Sequence, residues 1–312
     1  MHLTIDVEER LAPAMQALNE LHTTEAWDLA RSALEKMRLD SGESWGEVIK
    51  LIRKSDLFHI SQLCPFTSHG YSKPRGYAGD ALLLDWIYGD NRINNAPIAN
   101  TKSAELYRIT TSCPAATAVR WRKQHLANLI DDSAMRKRNA RVLSIACGHL
   151  READESIALN NGLIHELVAL DQDGESLHEV DRQYAAKGMP VVTTLAPIRD
   201  VIAGRLKLEN FDLIYSAGLY DYLEDSLARK LCTTLFDALS PGGRLVLTNF
   251  LHGTRDIAYM EAMMDWFLIF RTQSEIVAFA DDIPADQIAR LHSYQCPTAS
   301  VGYVSIRKRW IE

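Results

Sequence analysis

A strand-ending turn and an acid carry the clearest chemistry in this 312-residue chain. Ala146, Cys147 and Gly148 follow Arg141-Val-Leu-Ser-Ile145, whose apolar and β-branched members read as a buried strand. Small residues there let backbone N–H groups approach a ligand closely. The helix-compatible segment 151–159 would add a helix N-terminus. The next apolar run, His165-Glu-Leu-Val-Ala-Leu170, ends on Asp171. An acid at the carboxyl end of a second strand can accept hydrogen bonds from both hydroxyls of a ribose. Strand, turn, helix, strand and acid together read as a nucleoside-binding βαβ unit. The full run of glycines is absent: of Ala146, Gly148 and Leu150 only Gly148 is one. The other reading of the turn is an ordinary tight strand–helix connection, and Asp171 weighs against it. Cys147 reads as a small turn residue ahead of a nucleophile.

A second constellation is Tyr71-Ser-Lys-Pro-Arg-Gly-Tyr-Ala-Gly-Asp80. Its proline and two glycines forbid a regular helix. Arg75 could clamp a carboxylate with two parallel hydrogen bonds, and the face of Tyr77 or Tyr71 could cover a sulfonium or ammonium cation. The alternative is a surface turn with a solvated charge pair. The loop runs into the apolar helical segment 81–88, which anchors it.

The elements that must position these residues fall into two regions. Residues 1–135 read as helical, a cap or lid domain. Thr23 or Thr24 would cap one helix and Ser44 the next, and a long helix from Thr101 or Ser103 to about Ile130 would break near Cys113-Pro114. Arg120, Arg122, Lys123 and His125 make a basic stretch that reads as a solvated helix face. Residues 131–139 are charged and poor in apolar residues, so the second domain is taken as 136–312. Strands are expected at 141–146, 165–170, 190–195, 211–216, 243–250 and 299–307, with a weaker one near 290–295 completing a carboxyl-terminal hairpin. Helices are expected between them, including 225–239 and 258–270. Trp266 and Phe267 in the latter read as core. Alternating strands and helices imply an α/β fold with a parallel sheet.

Composition limits the partners. The chain is 47% hydrophobic and 24% charged, with a formal net charge of −7. This argues against nucleic acid or an anionic membrane as partner. No apolar run approaches membrane-spanning length, and the charged first ten residues do not read as a signal peptide. The five cysteines are odd in number and lack metal-ligand spacing, so no metal is expected and a cytoplasmic protein with reduced thiols is.

Residues 141–250 resemble a class I S-adenosylmethionine (SAM)-dependent methyltransferase. The resemblance rests on Ser144-Ile-Ala-Cys-Gly148, Asp171, Phe211-Asp-Leu-Ile-Tyr-Ser216 and Leu239-Ser-Pro-Gly-Gly-Arg-Leu-Val246. Ser144 stands in place of the usual acid and Leu150 in place of the last glycine. Four further motifs, Lys73–Asp80, Cys147–Glu152, Ser216–Tyr222 and Met264–Arg271, look like one bacterial branch of that superfamily. The branch contains synthases of 3-hydroxy fatty acid methyl esters and azetidine-2-carboxylate synthases, which cyclise SAM itself.

The resemblance implies a Rossmann-like sheet, mostly parallel with an antiparallel last strand, behind the N-terminal helical cap. It implies SAM as cofactor, with Ala146, Cys147 and Gly148 beside its methionine part, Asp171 on the ribose and Pro197 near the adenine. Ser216, Ala217 and Gly218 would line the end of the fourth strand. Tyr220 and Tyr222 would face the reacting centre, together with Tyr77 and Arg75 from the cap. The implied activity is methyl transfer in specialised metabolism to a small-molecule or carrier-bound acceptor. A carboxylate acceptor needs no general base, and since none of His149, His252 and Asp221 stands out as one, an acyl carboxylate or no external acceptor at all is favoured. The alternatives are cyclisation of SAM alone, releasing methylthioadenosine, and SAM binding without chemistry. Oligomeric state is not legible.

Overall fold

In a computed structural model, residues 6–20, 22–90, 92 and 95–310 are described. The strands are β1 (Ala140–Ile145), β2 (Ile164–Asp171), β3 (Val191–Leu195), β4 (Phe211–Ser216), β5 (Leu239–Phe250), β6 (Ile288–Gln295) and β7 (Val301–Lys308). They form one sheet in the order β3-β2-β1-β4-β5-β7-β6. β7 runs antiparallel to both of its neighbours, and the other pairings are parallel. The expected parallel sheet, its antiparallel last strand and the carboxyl-terminal hairpin are all present. Val142, Leu143 and Ile145 are buried, as strands covered on both faces require.

Register sets the functional end of this sheet. Ile145 pairs with Leu170 on one side and with Ser216 on the other, and Asp171 pairs with Leu195. The carboxyl ends of β1 to β4 are therefore level. The order reverses at β1, so β2 and β4 diverge from it, and such a switch point opens a crevice for a ligand.

Two helices depart from expectation. Segment 151–159 is a 3-10 turn at Arg151–Asp154 followed by a separate short helix, Ile157–Asn160. Ser156 restarts it, its side chain accepting from the Leu159 N–H, and Asp131 takes the Ser156 hydroxyl and the Ala158 N–H. The helix expected over 258–270 spans only Ile257–Met264, because Asp265 takes a left-handed conformation and ends it. The Ser240-Pro-Gly-Gly243 turn lies within a longer β5, at an irregularity in its pairing with β4. A Cβ on Gly243 would stand 2.8 Å from the Phe211 carbonyl, so that passage needs glycine.

The chain divides into two compact units, one of residues up to 119 with 254–267, the other of 120–253 with 268–310. The break expected at Cys113-Pro114 is present, and the units divide at 119/120, within the helix Pro114–Arg136, rather than at 135/136. In the first unit the helix Thr23–Ser41 begins at Thr23, and neither threonine caps it, because His22 holds the cap position. The helix Ile257–Met264 packs against Thr23–Ser41 and Pro65–Ser72. Among the described residues, no helix is long and apolar enough to cross a membrane.

Candidate functional site

The turn after β1 holds its shape with only one glycine, Gly148. Ala146, Gly148 and Leu150 all have left-handed backbones, with φ of 54°, 53° and 52°. That conformation costs an L-residue roughly 1–2 kcal/mol. At Leu150 the cost is offset by complete burial of the side chain, which contributes about 1.5–3 kcal/mol. Ala146 has no such compensation. Ala146→Gly should therefore raise stability by up to about 1 kcal/mol, the relieved strain exceeding the added freedom of the unfolded chain. An unchanged or lower urea midpoint would show that the turn is not strained there.

Asp171 fastens the turn to β2. Its Oδ2 accepts from the Gly148 N–H at 2.8 Å and its Oδ1 from the Asp173 N–H at 2.9 Å. The carboxylate is 8% exposed. Burial holds its pKa above the ordinary aspartate value, with the two amide donors opposing. A carboxylate offers about four acceptor positions, so about two remain for a diol. The Cys147 N–H donates to the Leu170 carbonyl at 3.2 Å, tying the turn to β2 a second time. Burial, then the Asp171 and Glu152 carboxylates, push the Cys147 thiol well up. A thiol so disposed stays protonated, which favours the turn-residue reading.

The other expected cofactor residues occupy the same end of the sheet. Pro197 follows Ala196, whose N–H donates to the Asp171 carbonyl at 2.9 Å, and it stands at the cap of the helix Ile198–Ile202. Ser216 is buried and donates to the Ile145 carbonyl at 3.1 Å, locking β4 to β1. Ala217 and Gly218 are partly exposed beyond it, and Gly218 has φ +97°. The eight residues from Ala146 to Gly218 thus come together at the ends of β1 to β4.

The two tyrosines after β4 part company. Tyr222 is exposed, whereas Tyr220 is 0% exposed and packs on Phe279 at 5.0 Å between ring centroids. Tyr220 belongs to the hydrophobic core of the sheet unit, so the role expected for it at a reacting centre is corrected. Both tyrosines belong to the 3-10 turn Tyr220–Tyr222, which buries the first ring and leaves the second exposed. The Tyr220 hydroxyl is buried with no hydrogen-bond partner among the described residues. Tyr220→Phe should leave the fold intact and raise stability by about 1 kcal/mol, because it removes an unsatisfied buried group. A marked loss of turnover in Tyr220→Phe would restore a chemical role for the hydroxyl.

Buried charge surrounds this loop, and the sequence did not reveal it. Arg122, read as part of a solvated face, is 4% exposed. Its guanidinium would lie 3.5 Å from a Cβ on Gly218. Its charge also lowers the pKa values of Glu152 and Asp221, two buried acids. Glu152 accepts from the Tyr215 hydroxyl at 2.8 Å, and burial raises its pKa. Burial pushes Asp221 up to about 6, against the Phe250 N–H, Arg122 and Arg271. The Asp221 carboxylate accepts from the Phe250 N–H at 2.6 Å. Arg271 ties the loop down by donating to the carbonyls of Tyr220 and Leu223, to Asn249 Oδ1 and to Asp225. A burial stripe could have exposed Arg122: it continues Ala115, Val119, Leu126 and Leu129 at helical spacing.

Arg75 and Tyr77 lie in the helical unit, each partly buried. Their loop is anchored, as the sequence implied. Asp80 caps the helix Ala81–Tyr88 by accepting from the Leu83 N–H, and its other oxygen meets His69 at 2.7 Å. Lys73 and Arg53 both pair with Asp265. The Trp266 indole lies so close to Gly79 that a Cβ there would come within 2.4 Å of it. Trp266 is core, as expected, whereas Phe267, read as core with it, is 51% exposed beyond the end of the helix. Among the described residues, no cluster of three or more His, Cys, Asp or Glu could hold a metal ion.

No model of a known family and no curated protein matches the chain. Solved structures do. A possible exported protein from Bordetella parapertussis superposes with a TM-score of 0.59 at 19% identity, over 78% of this chain and 86% of that one. The S-adenosylmethionine-dependent methyltransferase SibL, in its apo form, superposes with a TM-score of 0.50 at 14% identity, over 86% of this chain and 75% of that one. With the strand order and the single antiparallel strand, this likeness gives the chain the Rossmann-like fold of class I methyltransferases, with helices N-terminal to the sheet.

Proposed function

We propose that the chain is a SAM-dependent enzyme that transfers the methyl group of SAM to a small-molecule acceptor, with an acyl carboxylate as the best-suited class. The observation that carries the reading is the Asp171 carboxylate, bonded to the Gly148 N–H and level with the ends of β1 and β4. SibL, which has the same fold, is named as a SAM-dependent methyltransferase. SAM would supply an electrophilic methyl group on a sulfonium. Asp171 would accept the ribose hydroxyls with its remaining lone pairs. Ala146, Cys147 and Gly148 would pass close to the methionine part, Pro197 would flank the adenine, and Ser216, Ala217 and Gly218 would line the crevice. Tyr222 stays as a candidate at the reacting end.

A carboxylate acceptor fits the charges described above. Asp221 is buried and engaged with backbone, His149 is 3% exposed, and His252 is exposed with Glu275 4.0 Å away, so none of the three is disposed as a base toward a hydroxyl. Cyclisation of SAM is the second reading, supported by the motifs Lys73–Asp80 and Met264–Arg271. The test is product analysis by mass spectrometry, with SAM alone and with SAM plus aliphatic and 3-hydroxy carboxylic acids. S-adenosylhomocysteine formed only with an acid supports transfer. Methylthioadenosine from SAM alone supports cyclisation or lysis. Unconsumed SAM in every mixture would overturn the enzymatic reading and leave a SAM-binding protein.

A further inference from the structure

At the amino ends of β4 and β5, away from the crevice, lies a hollow of about 320 Å³. Its apolar floor includes Leu129 and Leu213, and Trp310 and Gly242 form one wall. The indole lies so close to Gly242 that a Cβ there would fall within 2.4 Å of it, yet Trp310 remains 71% exposed. Four cations line the hollow, Arg136, Lys137, Arg244 and Arg307, against two acids, Asp132 and Asp212. This excess stands in a chain whose formal charge is −7.

The acids are already shared. Asp132 takes Arg136 at 2.8 Å and Arg244 at 3.5 Å. Asp212 takes Lys137 at 2.9 Å and the Arg141 N–H at 2.9 Å. Arg307 has only the Gly242 carbonyl, at 3.3 Å, and no carboxylate within ion-pair distance among the described residues. Partial burial lowers its pKa, and the nearby charges of Arg136, Arg244 and Arg290 lower it further, with Asp132 opposing. A guanidinium among cations, facing a hollow of ligand size, is poised for an anion that would relieve the repulsion.

We propose that this hollow is a second binding site, for a small polyanion of phosphate or carboxylate chemistry held by Arg307 and Lys137 beside the indole of Trp310. The site is independent of the SAM reading, since it lies at the opposite end of the strands.

Calorimetric titration of the full chain with pyrophosphate and, separately, with citrate tests it. The expected result is saturable binding of at least one of them, weakened by added salt. Preference for pyrophosphate assigns phosphate chemistry, and preference for citrate assigns carboxylate chemistry. Arg307→Gln should weaken binding about tenfold or more. Lys137→Gln, at a more exposed position, should weaken it too and serves if the first variant is unfolded by circular dichroism. Absence of saturable binding to either anion overturns the proposal. So does binding unaffected by the folded variants, or displacement of the anion by S-adenosylhomocysteine.

Discussion

Replacing Arg271 by methionine should lower stability by about 3–5 kcal/mol, because three buried acceptors lose their donor at roughly 1–3 kcal/mol each. The side chain is 2% exposed and donates to two backbone carbonyls, an amide oxygen and a carboxylate. Methionine fills similar volume but leaves the Tyr220 and Leu223 carbonyls and Asn249 Oδ1 buried without their donor. The loop holding Tyr220 and Leu223 joins β4 to the helix Asp225–Asp237 and carries Tyr222 and the buried Asp221. Urea unfolding of Arg271→Met and Arg271→Lys reads the effect. Lysine should recover part of it, since it keeps the charge but not the fork. A loss below about 1 kcal/mol would place Arg271 among weak surface pairs instead.

Asp171→Ala should weaken S-adenosylhomocysteine binding by about 1–3 kcal/mol, the worth of charge-assisted hydrogen bonds to a diol. It also strips the Gly148 and Asp173 N–H groups of their acceptor, so the turn after β1 should loosen. Asp171→Asn keeps an acceptor oxygen and should fall between parent and Ala. Calorimetry on variants with parental circular dichroism measures this, and equal affinity in all three would remove Asp171 from the site.

The sheet was legible because its signals are local. Apolar runs ending on Ala146, Asp171 and Ser216 mark strands whose register then brings those ends level. The turn was harder, since glycine is the usual mark of a left-handed backbone. Leu150 holds that conformation through burial, which no spacing shows. Tyr220 and Tyr222 look equivalent in sequence, and a 3-10 turn separates them into core and surface. Arg122, Glu152 and Asp221 were missed as a group because they come from three distant segments. The early end of the helix at Met264 turns on one residue, Asp265, whose left-handed backbone has no compositional sign.

The central claim is that a SAM-type nucleoside sits against the turn after β1 and the acid after β2. Amide hydrogen exchange with and without S-adenosylhomocysteine tests it most directly, because it reports both binding and place. The account predicts added protection at 146–150 and 171–173, with a further change at 216–218. Saturating ligand that leaves those segments unchanged, or protects only segments elsewhere, would contradict it.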